Sequence, residues 1–180
     1  MNFVSTTLAG AVIVELERRE DERGFFARSF CQREFAEQGL DPCVAQCNVS
    51  FNRRRGTLRG LHWQAPPHAE AKLVRATRGA LWDVIVDLRP DSATYCEWFG
   101  VELTAENRRA LYVPPGFAHG FQTLVDDVEV FYQMSAFYAA DAQQGARWDD
   151  PEFGIEWPIR PPFLSPRDAT YPVFGPVRSR

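Results

Sequence analysis

The chain has 180 residues and a formal net charge of −4, from 20 Lys plus Arg against 24 Asp plus Glu. That balance, with a basic tract of only Arg53-Arg54-Arg55, excludes a nucleic-acid-binding protein of the usual basic kind. No window approaches the ~18 apolar residues of a membrane span, and Met1-Asn2-Phe3-Val4 does not open a signal peptide, so a cytoplasmic protein is expected.

Residues 11–16 (AVIVEL) and 24–30 (GFFARSF) predict the first strands, being β-branched and aromatic respectively. Residues 31–38 (CQREFAEQ) set Phe35 among charges and stop at Gly39, which predicts a helix. The arginine tract reads as a solvated loop that can also guide an anionic ligand. Residues 59–64 (RGLHWQ) can alternate as a strand. Residues 72–77 and 80–88 (ALWDVIVDL) predict two strands with a hairpin-like break at Arg78-Gly79. Strands at 98–103, 109–113, 121–124 and 128–134 follow; residues 104–107 read as a helical turn or a loop, and Val125-Asp126-Asp127 as a turn. From Trp157 onward Pro158, Pro161, Pro162, Pro166, Pro172 and Pro176 predict an irregular tail laid over the rest. Many short strands with few helices indicate an all-β sandwich or barrel, in a single domain over residues 1–180. The aromatic share of 13%, with 14 Phe and 5 Trp, suits a filled barrel interior or a lined pocket. Cys31, Cys43, Cys47 and Cys96 lack CxxC spacing and read as free thiols of a cytosolic protein.

The chain contains only three histidines. If Leu61 and Trp63 share one strand face, His62 and Gln64 share the other, facing solvent or a polar cavity, with Arg59 just upstream. His119 follows a rigid Pro114-Pro115-Gly116 turn, which fixes its position well or leaves it at the surface. His68 sits in a Pro-rich loop and carries less. His62, His119 and Glu70 have the donor chemistry to bind a metal, but Gln64 stands where a His-x-His pair would need its second ligand. No metal is therefore assigned.

Residues 54–64 (RRGTLRGLHWQ), 72–75 (KLVR), 83–89 (DVIVDLR), 101–107 (VELTAEN), 113–121 (VPPGFAHGF) and 148–157 (WDDPEFGIEW) together resemble the dTDP-4-dehydrorhamnose 3,5-epimerase family. The likeness runs in order from about Asp21 to Asp168. It implies a cupin-type jelly-roll barrel with a few short helices, working without metal or cofactor, usually as a homodimer that exchanges N-terminal strands. The implied substrate is a nucleotide-diphosphate 4-keto-6-deoxyhexose. The implied base is His62, paired with Asp168; Lys72 stands near the developing enolate and Tyr132 is the acid. Implied substrate contacts are Arg23, Phe26, Gln46, Asn48, Arg59 and His119, with Tyr138 beside the nucleoside.

The chemistry asks for those residue types. A C4 ketone acidifies the protons on C3 and C5, and a neutral imidazole can remove one at neutral pH. A carboxylate holds the imidazole tautomer, a lysine stabilises the enolate oxygen, and inversion needs a separate acid. Arg23 and Arg59 match a diphosphate. Three further contact positions depart from the family pattern: Arg28 and Gln143 stand where glutamates are usual, and Arg167 where a lysine is. A guanidinium donates where a carboxylate accepts, so uridine, cytidine and guanosine carriers stay open beside thymidine, as does inversion at C3, C5 or both. The competing readings are a metal-dependent cupin enzyme, such as a dioxygenase or sugar isomerase, and a non-catalytic sugar-nucleotide-binding protein.

Overall fold

The computed structural model describes residues 1–175; Pro176, the last proline of the expected tail, lies outside the described residues. The strands are β1 (Asn2–Ser5), β2 (Val12–Glu15), β3 (Arg19–Asp21), β4 (Gly24–Phe26), β5 (Gln46–Asn52), β6 (Leu58–Gln64), β7 (Lys72–Arg78), β8 (Ala80–Asp87), β9 (Trp98–Thr104), β10 (Ala110–Val113), β11 (Phe117–Thr123), β12 (Val128–Met134) and β13 (Gln143–Gly145). Two short helices accompany them, α1 (Gln32–Glu37) and α2 (Pro166–Ala169). One sheet has six strands in the order β1-β2-β10-β7-β12-β5, and a second has five in the order β13-β6-β11-β8-β9. They close on each other as the jelly-roll barrel of the cupin class. The β3–β4 hairpin belongs to neither sheet.

The Arg78-Gly79 break is not a hairpin. β7 lies in the six-stranded sheet and β8 in the five-stranded one, so the chain turns a corner there from one wall to the other. The reason lies in what each strand buries. Val74 and Ala76 of β7 meet Leu81 and Ile85 of β8 in one interior cluster, which requires the two strands to face each other rather than pair. The Pro-Pro-Gly turn and the Val125–Asp127 turn make the same kind of crossing, from β10 to β11 and from β11 to β12.

Apolar packing also covers both outer faces. Outside the six-stranded sheet, Phe35 of α1 packs with Leu40, Leu73 and Tyr112. Outside the five-stranded sheet, the tail lays Phe153, Ile155 and Trp157 over Leu58, Leu61 and Val84. All five tryptophans (Trp63, Trp82, Trp98, Trp148, Trp157) gather in this second layer rather than filling the barrel, and of them Trp63 also borders its cavity. The tail is less irregular than expected, because Ser165 caps α2, accepting from the Asp168 backbone N–H, and Pro166 opens it.

A buried network ties the end of β8 to the following loop. The Asp87 carboxylate, fully buried, accepts from the Arg89 guanidinium at 2.7 Å, Ser92 Oγ at 2.5 Å and Thr94 Oγ1 at 2.7 Å. Burial pushes this carboxyl up, but the hydrogen bonds from Arg89, Ser92 and Thr94 outweigh it and hold it well below the usual carboxylate range. A depressed native pKa stabilises above the unfolded value near 3.9 and loses that contribution as pH falls below it. Asp87→Asn is therefore expected to cost about 2 kcal/mol at neutral pH, with a smaller penalty at pH 3. Urea unfolding at the two pH values checks this.

Candidate active site

At one end of the barrel interior the apolar packing gives way to polar side chains, in rows set by strand register. In the six-stranded sheet Met134 pairs with Lys72 on one side and Gln46 on the other; one row deeper, Tyr132 pairs with Val74 and Asn48. Opposite, in the five-stranded sheet, His119 pairs with His62, and Phe121 with Arg59. Two cavities of about 360 and 290 Å³ lie between these walls and share Asn48, His62, Lys72 and Met134, forming one cleft.

The predicted alternation holds: Leu61 is buried and Trp63 partly buried in the outer layer, with Trp63 also reaching the rim of the cleft, while His62 and Gln64 line it. Arg59 faces the cleft as well, although it stands three residues before His62. A strict period of two forbids that. The register between β6 and β11 slips between His119 and Phe121, and this irregularity re-aims the strand. Gly60 sits there at φ +129, so close to Gly120 that an added Cβ would stand 2.5 Å from the Gly120 Cα.

His62 Nε2 lies 2.6 Å from Asp168 Oδ1, a contact spanning 106 residues of sequence. Ser165 Oγ donates to the other carboxylate oxygen at 2.8 Å. Burial pushes the Asp168 carboxyl up, yet the hydrogen bond and charge of His62, with Ser165 and Arg59, leave it below its ordinary value. An ionised carboxylate only accepts, so it fixes the His62 proton on Nε2 and leaves Nδ1 as the basic nitrogen. The Tyr171 ring packs edge-on against His62 at 5.7 Å, seated where a Cβ on Gly145 would collide with it. The other wall carries Tyr132. Burial pushes its hydroxyl well above the ordinary phenol value, assisted by Asp83 and opposed by hydrogen bonding to Ser50.

Lys72 Nζ lies 3.2 Å from Glu70 Oε1 and donates to the His62 carbonyl at 3.3 Å. His119 Nε2 lies 2.8 Å from Asp83 Oδ1 inside the barrel. The two histidines therefore engage different carboxylates, and among the described residues no three His, Cys, Asp or Glu side chains gather as a metal site.

The remaining expected residues divide into two groups. Gln46, Asn48, Tyr138 and Gln143 line the cleft; Gln46 Oε1 accepts from the Tyr138 backbone, and Tyr138 Oη donates to Gln143 Oε1 at 2.6 Å. Arg59 donates to Asn52 Oδ1 at 2.7 Å from the deeper part. Arg167 follows on α2, over the Tyr171 ring. The single chain does not bring Arg23, Phe26 or Arg28 to this cleft. They lie on and just after the free β3–β4 hairpin, where Arg23 pairs with Asp21, Phe26 is 73% exposed, and Arg28 pairs with Glu34 at 2.6 Å. The arginine tract is exposed, as a solvated loop should be; the Arg55 side chain donates to the Leu124 carbonyl and Arg54 stacks on Phe163.

The dTDP-4-dehydrorhamnose 3,5-epimerase family model matches residues 5–175. The chain belongs to this family. A dTDP-4-dehydrorhamnose 3,5-epimerase of Methanothermobacter thermautotrophicus is 47% identical over 157 residues, covering 87% of this chain and 84% of its own. The crystal structure of the enzyme of that name from Elizabethkingia anophelis superposes with a TM-score of 0.94 at 40% identity, over 97% and 96% of the two chains. The Bacillus anthracis enzyme, solved with TDP and PPi bound, gives 0.92 at 42% identity over 96% and 98%. The chain is accordingly an isomerase of the carbohydrate-epimerase type.

Sequence reading passed over Asp83 and Ser165 and weighed Glu70 only as a metal ligand. Asp83 had a visible signal: it alternates with Leu81 and Ile85 on the core face of an apolar strand, where a lone carboxylate demands a partner. Ser165 had one too, as the Ser before Pro166 that marks a helix start.

Proposed function

We propose that the chain inverts C3, C5 or both of a nucleotide-diphosphate 4-keto-6-deoxyhexose, with thymidine as the carrier nucleoside, by way of an enolate. The observation that carries this reading is the placement of a base and an acid on opposite walls: His62 on the five-stranded sheet, Tyr132 on the six-stranded one. Inversion requires that arrangement, since the proton must leave one face of the sugar ring and arrive on the other. His62 Nδ1 takes the proton, and Asp168 stabilises the imidazolium that forms. Lys72 donates to the enolate oxygen, an interaction worth about 3 kcal/mol in a water-poor site. Tyr132, held protonated by burial, delivers the new proton and regains its own from solvent. Proton transfer beside a ketone calls for neither a redox cofactor nor a metal.

A thymidine carrier is supported by the names of the relatives and by the ion pair of Arg28, whose charge is offset by Glu34. A homodimer is supported by the free hairpin: exchange of N-terminal strands would bring Arg23 and Phe26 of one copy to the cleft of the other. We place the enzyme in the cytoplasm; no described helix is long and apolar enough to cross a membrane.

Tyr132→Phe separates the two proton transfers. The variant is expected to keep washing solvent deuterium into the substrate through His62, while epimer formation falls by about 10²–10⁴-fold. NMR of substrate and product in deuterium oxide measures both; unchanged epimerisation would remove Tyr132 from the acid role.

A further inference from the structure

Lys72 is the only lysine in the chain; the other members of the Lys-plus-Arg total of 20 are arginines. Its side chain and that of Glu70 are 9% and 3% exposed, and their charged atoms lie 3.2 Å apart. Ala71 between them packs outward, so both flanking side chains turn into the cleft. Lys72 has three N–H donors. One serves Glu70 and one the His62 carbonyl, which leaves a third for a substrate oxygen. Removing a lone ammonium from water is strongly unfavourable, and a paired carboxylate offsets that cost.

We propose that Glu70 is a positioning residue for Lys72, holding its ammonium charged and aimed so that one N–H remains for the substrate. The proposal rests on the role given to Lys72 above and extends it. The charged and titratable groups that share the cleft with Lys72 are Glu70, Arg59 and His62 from β6, His119 from β11, Tyr132 from β12, Tyr138 from the loop after it and Asp168 from α2. Asp168 is already committed to His62 and Ser165, and Arg59 repels an ammonium. Glu70 is therefore the carboxylate available to keep Lys72 protonated.

A protein labelled with 13C at lysine Cε gives one lysine signal, so its titration needs no assignment. In Glu70→Gln, which keeps the side-chain shape, the midpoint is expected to move to lower pH by about one unit or more, and Glu70→Asp to restore most of that shift. The alkaline limb of kcat should move down with it, while KM at neutral pH stays within about twofold. An unmoved lysine midpoint in folded Glu70→Gln overturns the proposal. A moved midpoint with an unmoved alkaline limb upholds the pair and instead overturns the catalytic role of Lys72. In the unmodified protein a scalar coupling between Lys72 15Nζ and Glu70 13Cδ is expected across the hydrogen bond; its absence overturns the pairing without any variant.

Discussion

Replacing His62 by alanine is expected to reduce kcat/KM for epimerisation by about 10³-fold or more, with little change in the binding of substrate or in thermal stability. The ring is 31% exposed and lines a cleft, so its loss opens space without leaving a core cavity. Asp168→Asn makes the sharper test. An asparagine can donate to Nε2, which would move the ring proton to Nδ1 and silence the nitrogen that acts as base. A loss of about 10²–10⁴-fold is expected although the contact survives, because the tautomer is wrong. Steady-state kinetics on both variants, with circular dichroism to confirm folding, measures this. An Asp168→Asn enzyme within threefold of the parent would show that the carboxylate does not set the tautomer.

Gly60→Ala is expected to cost more than about 3 kcal/mol, read as a loss of soluble protein on expression and a lowered Tm in the fraction that folds. Two effects add at this position. The backbone lies at φ +129, and the new Cβ would stand 2.5 Å from the Gly120 Cα and 2.9 Å from the His119 carbonyl oxygen, both backbone atoms that cannot swing aside. Gly24 supplies the control, having φ +128 with nothing within 4 Å. Gly24→Ala bears the backbone strain alone and is expected to cost about 1–3 kcal/mol locally in the free hairpin. Equal losses at the two glycines would show that the close approach of β6 to β11 contributes nothing. A large difference assigns the cost to that approach, which is what turns Arg59 and His62 into the same cleft.

How much of this was legible depends on whether a residue's partners lie near it in sequence. The two faces of residues 61–64 follow from alternation, and the polar face became one wall of the cleft. Arg59 breaks that period, and only the slip opposite Gly120 explains it. Asp168 stands 106 residues from its partner, on a helix inside a segment whose prolines suggested irregular chain. No local pattern links it to His62; resemblance to the family supplied it. The corner at Arg78-Gly79 reads as a hairpin in sequence because a hairpin and a sheet-to-sheet crossing look alike locally, and only the shared interior cluster separates them. Composition likewise could not say that the tryptophans seal the tail outside the barrel. Arg23, Phe26 and Arg28 share a sequence neighbourhood, and the hairpin that carries them is separate from both sheets of its own chain.

The most direct test of the central claim is proton exchange in deuterium oxide. The protein is incubated with thymidine-, uridine-, cytidine- and guanosine-diphosphate-linked 4-keto-6-deoxyhexoses, and deuterium is located by NMR. The account predicts incorporation at C3, C5 or both of the thymidine-linked sugar, fastest among the four carriers, and none above background with His62→Ala. No incorporation into any of the four, or undiminished incorporation without His62, would contradict it.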